Sequence, residues 1–444
     1  MRTPLKVFCG VLAGIALLGT YVFFRPAPTD FAGGKRVALS AYTGADPTGV
    51  PPELKSASLV ARGEYLARAA DCRACHTAKN GTPFIGGRAF VLPFGTLYST
   101  NITPDSDTGI GRYTDEEFRN ALHKGIGRGG TRLYPAMPYP SYAYMSDADV
   151  AAIKAYLFSL QPIRAPTLAN TLTFPYNQRW LMGVWSALFN ADRRYEPNVD
   201  QAPTWNRGAY LVEALEHCGE CHTPRNMLFA LDQRQKFAGA VQSGWRAYNI
   251  TPDPHSGIGT WSDAEIYDYL AQGHAPGRGT AAGPMGEAVD QSTRYLTASD
   301  IRAMVTYLRT VTSVATADLP EPKSTPATAA HVLTEGNDFD TEGKFIYAGA
   351  CAGCHGWTGV NPLVPLASLT GSRAVNDPTA INVAQVIIHG GHRNSADPAV
   401  NMPAFGETYT NDQVASVANF VVARYGAHGA TLTAEHVARL REED

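Results

Sequence analysis

The sequence has 444 residues, of which 44% are hydrophobic and 17% are charged, and its 37 basic and 40 acidic side chains leave a formal net charge of −3. A chain of this length supports roughly two to four domains, and this composition excludes intrinsic disorder for most of it. Nucleic acid is excluded as an expected partner, because phosphate binding needs a concentrated cationic face and this sequence has no basic block.

The N-terminus carries the pattern of an export signal. Two cationic side chains precede an uncharged stretch over 7–24, and Arg25 closes it. This stretch is at the short end of what spans a bilayer, and no small-residue cleavage site follows at once, which favours an uncleaved anchor over a cleaved signal. The charge asymmetry predicts that the rest of the chain lies outside the cytoplasm. We therefore expect a signal anchor over 1–25 and a linker over 26–57.

Six of the seven cysteines lie in three copies of the pattern C-x-x-C-H. This pattern is typical of covalent haem c attachment, because two thiols on one helical turn can form thioethers to both vinyl groups of one porphyrin. The histidine that follows then lies beneath the iron. Half of a zinc site or a redox dithiol would explain a single C-x-x-C, but not three copies that all continue with histidine. The predicted residues are Cys72, Cys75 and His76; Cys218, Cys221 and His222; and Cys351, Cys354 and His355.

The repeated unit is larger than the attachment site. Each site follows a short helical pattern with a glycine next to apolar and aromatic positions, and each is followed by a middle helix that ends at Gly125, Gly273 or Gly390. One methionine lies twelve residues after each of these glycines, in a predicted loop, and methionine is a typical sixth ligand of haem c iron. The predicted distal ligands are Met137, Met285 and Met402.

Helix caps complete the pattern of each copy. Thr114 and Ser262, each with glutamate three residues later, predict capping boxes at the middle helices, and a last amphipathic helix opens at Ser146, Thr297 or Thr410. The glycines of the first helices would let the first and last helix backbones cross closely. The order is helix, haem site, loop, helix, methionine loop, helix, which resembles the small all-helical cytochrome c domain.

We therefore predict an all-α fold of three tandem cytochrome c domains behind the N-terminal membrane-anchor helix. The domains span 58–165, 204–311 and 339–426; the linkers span 166–203 and 312–338; and the tail spans 427–444.

Two further features leave alternatives open. An apolar run over 180–189 is too short to span a bilayer. It is either an interfacial segment with Trp180 and Trp185 at headgroup level or a helix packed over haem or a partner, and its modestly cationic flank favours packing. Four histidines near the ends of the middle helices could rival methionine, but their positions differ among the copies, which favours surface or propionate contacts. They are His123, His274, His389 and His392.

The chain resembles the three-haem cytochrome c subunit of bacterial membrane-bound dehydrogenases that oxidise alcohols, aldehydes or sugar acids. The three attachment sites carry the resemblance, together with N-I-T-P-D at 101–105, L-Y-P-A-M-P-Y at 133–139 and R-W-L-M at 179–182. It implies three covalent haem c groups, a separate dehydrogenase catalytic subunit as electron donor and membrane ubiquinone as acceptor. It also implies a location at the periplasmic face of the bacterial inner membrane.

The mechanism expected from these features is outer-sphere electron transfer, because iron with both axial positions filled has no place for substrate. Two alternatives remain at this stage. A multihaem peroxidase or reductase would need an open iron position, against which the three methionines argue. A carrier that feeds a terminal oxidase would differ only in its partner.

Overall fold

The computed structural model describes residues 3–24, 32–316, 341–393 and 400–442. Within them the chain is rich in helix, and its strands form short two-stranded antiparallel hairpins that the all-α prediction did not include. An apolar helix, α1 (Thr3–Phe24), comes first. No helix among the described residues meets the combined length and apolarity needed to cross a membrane.

Three helical units follow, and each contains one C-x-x-C-H site. Unit 1 consists of α2 (Leu59–Ala69), α3 (Cys72–Cys75), the hairpin of β1 (Ala89–Leu92) and β2 (Gly95–Tyr98), α4 (Asp115–Lys124), α5 (Tyr139–Tyr142) and α6 (Asp147–Ser159). A connecting helix, α7 (Leu181–Phe189), leads to unit 2.

Unit 2 repeats the plan of unit 1 with an additional hairpin. Its elements are α8 (Pro203–Tyr210), α9 (Gly219–His222), the hairpin of β3 (Ala240–Gln242) and β4 (Trp245–Ala247), α10 (Asp263–Gln272), the hairpin of β5 (His274–Ala275) and β6 (Gly279–Thr280), α11 (Gly283–Gln291) and α12 (Ala298–Leu308). The predicted linker over 312–338 lies outside the described residues from 317 onward.

Unit 3 is shorter, and a C-terminal helix packs on it. Its elements are α13 (Thr341–Ile346), α14 (Ala352–His355), α15 (Ile381–His389), the hairpin of β7 (Gly391–Arg393) and β8 (Val400–Met402), α16 (Asn411–Tyr425) and α17 (Ala434–Glu442).

The first and last helices of every unit cross at a glycine, as predicted. A Cβ on Gly63 would lie 1.8 Å from the carbonyl oxygen of Ala152, and one on Gly208 would lie 1.9 Å from that of Ala303. The corresponding distance from Gly343 to the carbonyl of Ser416 is 2.3 Å. Only glycine permits backbones to approach this closely, so the position of this residue determines where the two helices meet.

The predicted helix ends are also confirmed. Thr114 and Ser262 each accept a hydrogen bond from the third helical amide while the glutamate at that position accepts from the cap amide. Gly125 and Gly273 end α4 and α10 in the left-handed conformation, at φ of 61° and 73°. Helices α4 and α10 are therefore capped at both ends by local sequence alone.

Units 1 and 2 share one hydrophobic core, whereas unit 3 has its own. A reciprocal pair of hydrogen bonds joins units 1 and 2. The Tyr65 hydroxyl donates to Asp300 at 2.6 Å, and the Tyr210 hydroxyl donates to Asp149 at 2.5 Å. The guanidinium of Arg207 also donates to Asp300, at 2.6 and 2.8 Å. All four residues of the reciprocal pair are buried, so units 1 and 2 form one packed body.

Helix α7 is packed on one side and exposed on the other. The Trp185 indole donates to the carbonyl of Leu228 at 2.8 Å and meets Tyr139 edge to face, while Phe189 is buried. Trp180 is 66% exposed. One side of α7 is therefore packed on the chain itself, while Trp180 and Val184 leave apolar surface exposed. Helix α1 also contacts α7.

Candidate haem-binding sites

All three attachment patterns form a single helical turn. Helices α3, α9 and α14 carry them, and the two cysteines of each pattern lie on the same turn as free thiols. A short π-helical segment leads into the second and third sites, over Leu211–Leu215 and Tyr347–Cys351. This arrangement presents two thiols and a following histidine to one side of the chain, as thioether attachment of a porphyrin requires.

The thiols do not have the properties of a redox dithiol. Burial raises the pKa of Cys72 and Cys75 to about 12, and it raises the pKa of Cys221 and Cys351 to about 11. A reactive dithiol needs a lowered pKa, because the thiolate is the nucleophile. Nor is a metal cluster formed: among the residues that the structure describes, no three His, Cys, Asp or Glu side chains are grouped so as to hold an ion.

Each predicted proximal histidine is oriented by a backbone carbonyl. The Nδ1 atom of His76 lies 2.7 Å from the oxygen of Thr100, that of His222 lies 2.6 Å from the oxygen of Tyr248, and that of His355 lies 2.6 Å from the oxygen of Ala367. All three sites thus have the same contact, from the histidine Nδ1 to a backbone carbonyl oxygen.

A carbonyl only accepts, so Nδ1 must carry the proton at all three sites, and Nε2 keeps its lone pair for iron. Burial also lowers the pKa of His76, His222 and His355, which favours the neutral imidazole that a metal needs. The residues present therefore fit a haem iron on the chemistry of the donor set.

The N-I-T-P-D segments hold these carbonyls in place. Buried Asn101 accepts from the amide and hydroxyl of Thr103 at 2.9 and 2.8 Å and donates to the carbonyl of Ile163 at 2.8 Å. Thr100, whose carbonyl meets the histidine, is the preceding residue. The same contacts recur around Asn249 in unit 2. The motif thus anchors the loop that orients the proximal ligand.

The three predicted distal methionines are all half-buried against the cores of their units. Only Met137 lies in a loop. Met285 lies in the first turn of α11, because Pro284 has the fixed φ that starts a helix, and Met402 ends strand β8, paired with Gly391. The loop prediction was therefore wrong for Met285 and Met402.

The twelve-residue offset has a structural reason. In every unit the chain reverses through an antiparallel pairing between the glycine and the methionine. In unit 1 the pairing is the bridge of Ile126 with Arg132, and in units 2 and 3 it is the hairpins β5–β6 and β7–β8. The outermost paired residues are six apart in units 1 and 2 and eleven apart in unit 3, so the chain turns back before the methionine in the first two units and at the methionine itself in the third.

The histidines that might have rivalled methionine behave differently from one another. His123 is 1% exposed, and burial lowers its pKa to about 3, so the surface contact expected for it was wrong. The Nδ1 atom of His274 lies 2.8 Å from the hydroxyl of Thr280. The ring of His389 lies 6.5 Å from that of Trp245. The three rings thus have unrelated surroundings.

Charged contacts connect the first two sites, and the sequence analysis missed them. The Arg88 guanidinium donates to the carbonyl of Ala74, inside the first attachment turn, at 2.8 Å and to Glu287, two residues beyond Met285, at 2.5 Å. Helix α11, which carries Met285, also contacts the first attachment turn, α3. Arg88 immediately precedes β1, and no local pattern in the sequence indicates its partner Glu287, 199 residues away.

The chain is similar to known proteins in two of its units and over almost its whole length. A family model described as cytochrome c matches residues 60–161, and one described as cytochrome C oxidase, cbb3-type, subunit III matches residues 339–421. The fructose dehydrogenase cytochrome subunit of Gluconobacter japonicus is 37% identical over 440 residues, which cover 94% of this chain and 90% of that protein.

Two other relatives are similar over most of their length. The gluconate 2-dehydrogenase cytochrome c subunit of Pantoea cypripedii is 38% identical over 405 residues, 87% of this chain and 90% of that protein. The alcohol dehydrogenase (quinone), cytochrome c subunit of Gluconacetobacter polyoxogenes is 36% identical over 412 residues, 88% of this chain and 86% of that protein.

Proposed function

Because the chain belongs to the family of cytochrome c subunits of fructose, gluconate and alcohol dehydrogenases, we propose that it is the electron-transfer subunit of such a complex and carries three covalent haem c groups. The observation that carries the proposal is the threefold recurrence of one arrangement. Each unit has two thiols on one turn, a histidine whose Nδ1 is occupied by a carbonyl, and a half-buried methionine twelve residues after the middle-helix glycine.

Each residue has one role in this proposal. The cysteine pairs attach the porphyrins, the histidines supply Nε2 as proximal ligands, and the methionine sulfurs fill the opposite positions. The bound group supplies one-electron redox chemistry, and iron with both axial positions filled exchanges electrons without binding substrate. The attaching residues are Cys72, Cys75, Cys218, Cys221, Cys351 and Cys354. The ligand pairs are His76 with Met137, His222 with Met285, and His355 with Met402.

The contacts between units support a relay through all three sites. Arg88 and Glu287 join the first attachment turn to the helix that carries Met285. Thr280, five residues before Met285, donates to the carbonyl of Leu366, next to the carbonyl that meets His355. These contacts place the second site next to the first and next to the third, as a relay within one chain would require.

The donor in this proposal is a separate dehydrogenase catalytic subunit that oxidises an alcohol, a sugar or a sugar acid, and the acceptor is membrane ubiquinone. The named relatives support the donor class, and the name of the alcohol dehydrogenase relative includes quinone. In this proposal the partner binds and oxidises the substrate, because iron held by a histidine and a methionine of this chain would have no position left for it.

An apolar surface supports attachment to the periplasmic face of the inner membrane, with 1–25 as anchor. Helix α1 contacts α7, and Trp180, just before α7, is 66% exposed. Phe174 and Met227 nearby are 78% and 97% exposed, and the middle of α1 exposes Leu17 at 73%. Apolar side chains in such a group mark a surface that contacts a membrane or a protein.

Haem counting tests the proposal directly. A pyridine haemochrome assay on the purified holoprotein should give three haems per chain. A Cys218→Ala/Cys221→Ala variant should give two and a Cys9→Ala control three. Two haems in the unaltered chain would contradict the middle site.

Carbon monoxide binding separates the relay from a haem enzyme. The reduced holoprotein should not bind carbon monoxide, whereas Met285→Ala should open one iron and bind one equivalent. Binding by the unaltered protein would favour a peroxidase or reductase. Resistance of the protein to extraction from membranes by alkaline carbonate tests the anchor.

A further inference from the structure

The interface between units 2 and 3 contains a buried acid next to the second haem site. Asp377, in the loop before α15, is fully buried. Its Oδ2 accepts a hydrogen bond from the Tyr248 hydroxyl at 3.2 Å, and its Oδ1 lies 3.4 Å from the guanidinium of Arg246. Unit 3 thus places a carboxylate against the strand end of unit 2 that carries Tyr248.

Tyr248 has a second contact of a different kind. Its backbone carbonyl is the one that orients His222, at 2.6 Å from Nδ1. Tyr248 therefore joins the two units. Its side chain contacts the carboxylate of unit 3, and its main chain contacts the predicted proximal ligand of unit 2. Only the contact with Asp377 requires docking of unit 3, because Tyr248 and His222 both belong to unit 2.

The same arrangement exists in the opposite direction. The Thr280 hydroxyl of unit 2 donates to the carbonyl of Leu366 at 2.7 Å, and the next carbonyl, that of Ala367, orients His355 at 2.6 Å. The Nδ1 atom of His274 lies 2.8 Å from the same Thr280 hydroxyl, which therefore accepts a hydrogen bond from His274 while it donates one to unit 3. Each unit therefore holds the backbone segment that orients the other unit's histidine.

We propose that Asp377 and Thr280 are positioning residues through which units 2 and 3 set each other's haem potential. Asp377 acts on the second haem through Tyr248 and His222, and Thr280 acts on the third through the Leu366–Ala367 segment and His355. This inference rests on the haem ligands of the proposed function. The physical basis is that a hydrogen bond from Nδ1, the ring nitrogen that does not bind the metal, raises the basicity of a ligating histidine and fixes its orientation.

The direction of each effect follows from charge and ligand basicity. Asp377 places a carboxylate against Tyr248, whose carbonyl meets the predicted ligand His222. Negative charge there would disfavour the extra electron on the second haem, so Asp377→Asn should raise that midpoint potential. Arg246 and Arg373 are the cations that face the same carboxylate, and they reduce the effect without removing it. Loss of the Thr280 hydroxyl loosens the carbonyl that orients His355, so Thr280→Val should raise the third potential.

The test is a spectroelectrochemical titration of the three haems in the holoprotein. Met285→His and Met402→His first identify the second and third potentials, because replacing methionine by histidine lowers the potential of the haem concerned. Asp377→Asn should then change the reduction equilibrium of the second haem by about threefold or more, or about 28 mV on a scale of 59 mV per tenfold change for one electron. Thr280→Val should shift the third haem alone.

Gln385→Ala is the matched control. Gln385 of unit 3 donates to the carbonyl of Gly244 at 3.0 Å across the same interface, but it touches neither Tyr248 nor the Leu366–Ala367 segment. It should leave both potentials unchanged. Equal shifts in Gln385→Ala and Asp377→Asn would overturn the inference, because looser docking would then explain both.

A further variant covers the case in which Asp377→Asn does not fold. Tyr248→Phe keeps the ring and the carbonyl but removes the hydroxyl that meets Asp377, and it should also raise the second potential. Unchanged potentials in Tyr248→Phe and Thr280→Val would refute the inference while three haems remained attached. Failure of Met285→His and Met402→His to lower any potential would instead refute the ligand assignment itself.

Discussion

Two glycine-to-alanine substitutions should have opposite effects on stability, although both lie inside helices. In Gly208→Ala the new Cβ would lie 1.9 Å from the carbonyl oxygen of Ala303. An ordinary contact needs about 3.4 Å, so α8 and α12 would have to separate by about 1.5 Å. In Gly183→Ala the nearest atom, in the flexible side chain of Arg132, is 3.5 Å from the new Cβ, which is an ordinary contact.

The magnitudes follow from these distances. Overpacking costs about 1–3 kcal/mol, and we expect the upper end for Gly208 because the opposing atom is backbone and cannot rotate away. The gain in helix propensity from glycine to alanine, about 1 kcal/mol, offsets part of this cost. The free energy of unfolding should therefore fall by about 2 kcal/mol in Gly208→Ala and rise by up to about 1 kcal/mol in Gly183→Ala.

Urea unfolding of the holoprotein, followed by circular dichroism, measures the difference. The transition of the shared core of units 1 and 2 should move to lower urea in Gly208→Ala with an unchanged slope, since the surface exposed on unfolding is the same. A Gly208→Ala protein as stable as the parent would refute the close-crossing argument. So would equal destabilisation in Gly183→Ala.

Three further predictions concern single contacts. Burial lowers the pKa of His123 from about 6.5 to about 3, so its contribution to stability is complete above the unfolded pKa and is lost as pH falls from about 6.5 towards 3. The free energy of unfolding of the parent relative to His123→Gln should therefore decline below pH 6.5, by no more than about 1.4 kcal/mol per pH unit. Urea titrations at several pH values measure this decline. A double-mutant cycle of Arg88→Met and Glu287→Gln should give a coupling free energy of about 1 kcal/mol, and a value near zero would show that this half-exposed pair does not join units 1 and 2. Asn249→Ala should lower the haem content from three towards two per chain, because it releases the loop that orients His222, whereas Asn226→Ala in an exposed turn should retain three in the same haemochrome assay.

Features that depend on near neighbours in the chain were predictable. The attachment turns, the capping boxes at Thr114 and Ser262 and the helix ends at Gly125 and Gly273 agree with the structure. Such features are decided within one or two helical turns, where side-chain type and spacing determine which backbone groups can be satisfied. The buried crossings at the helix glycines join distant residues, but they were predictable from the recurrence of glycine in all three copies, since only glycine lets backbones meet this closely.

The sequence by itself thus determined the haem chemistry, because thioether attachment and the histidine beneath the iron are fixed by a five-residue pattern. Only the tertiary structure decided how the histidines are oriented and how the units are joined. The carbonyl partner of His222 is 26 residues away, and the bond from Tyr65 to Asp300 spans 235 residues. The tertiary structure also decided that His123 is buried and that Met285 lies in a helix. A residue's partners at such separations depend on packing of whole helices, which periodicity and spacing along the chain do not encode.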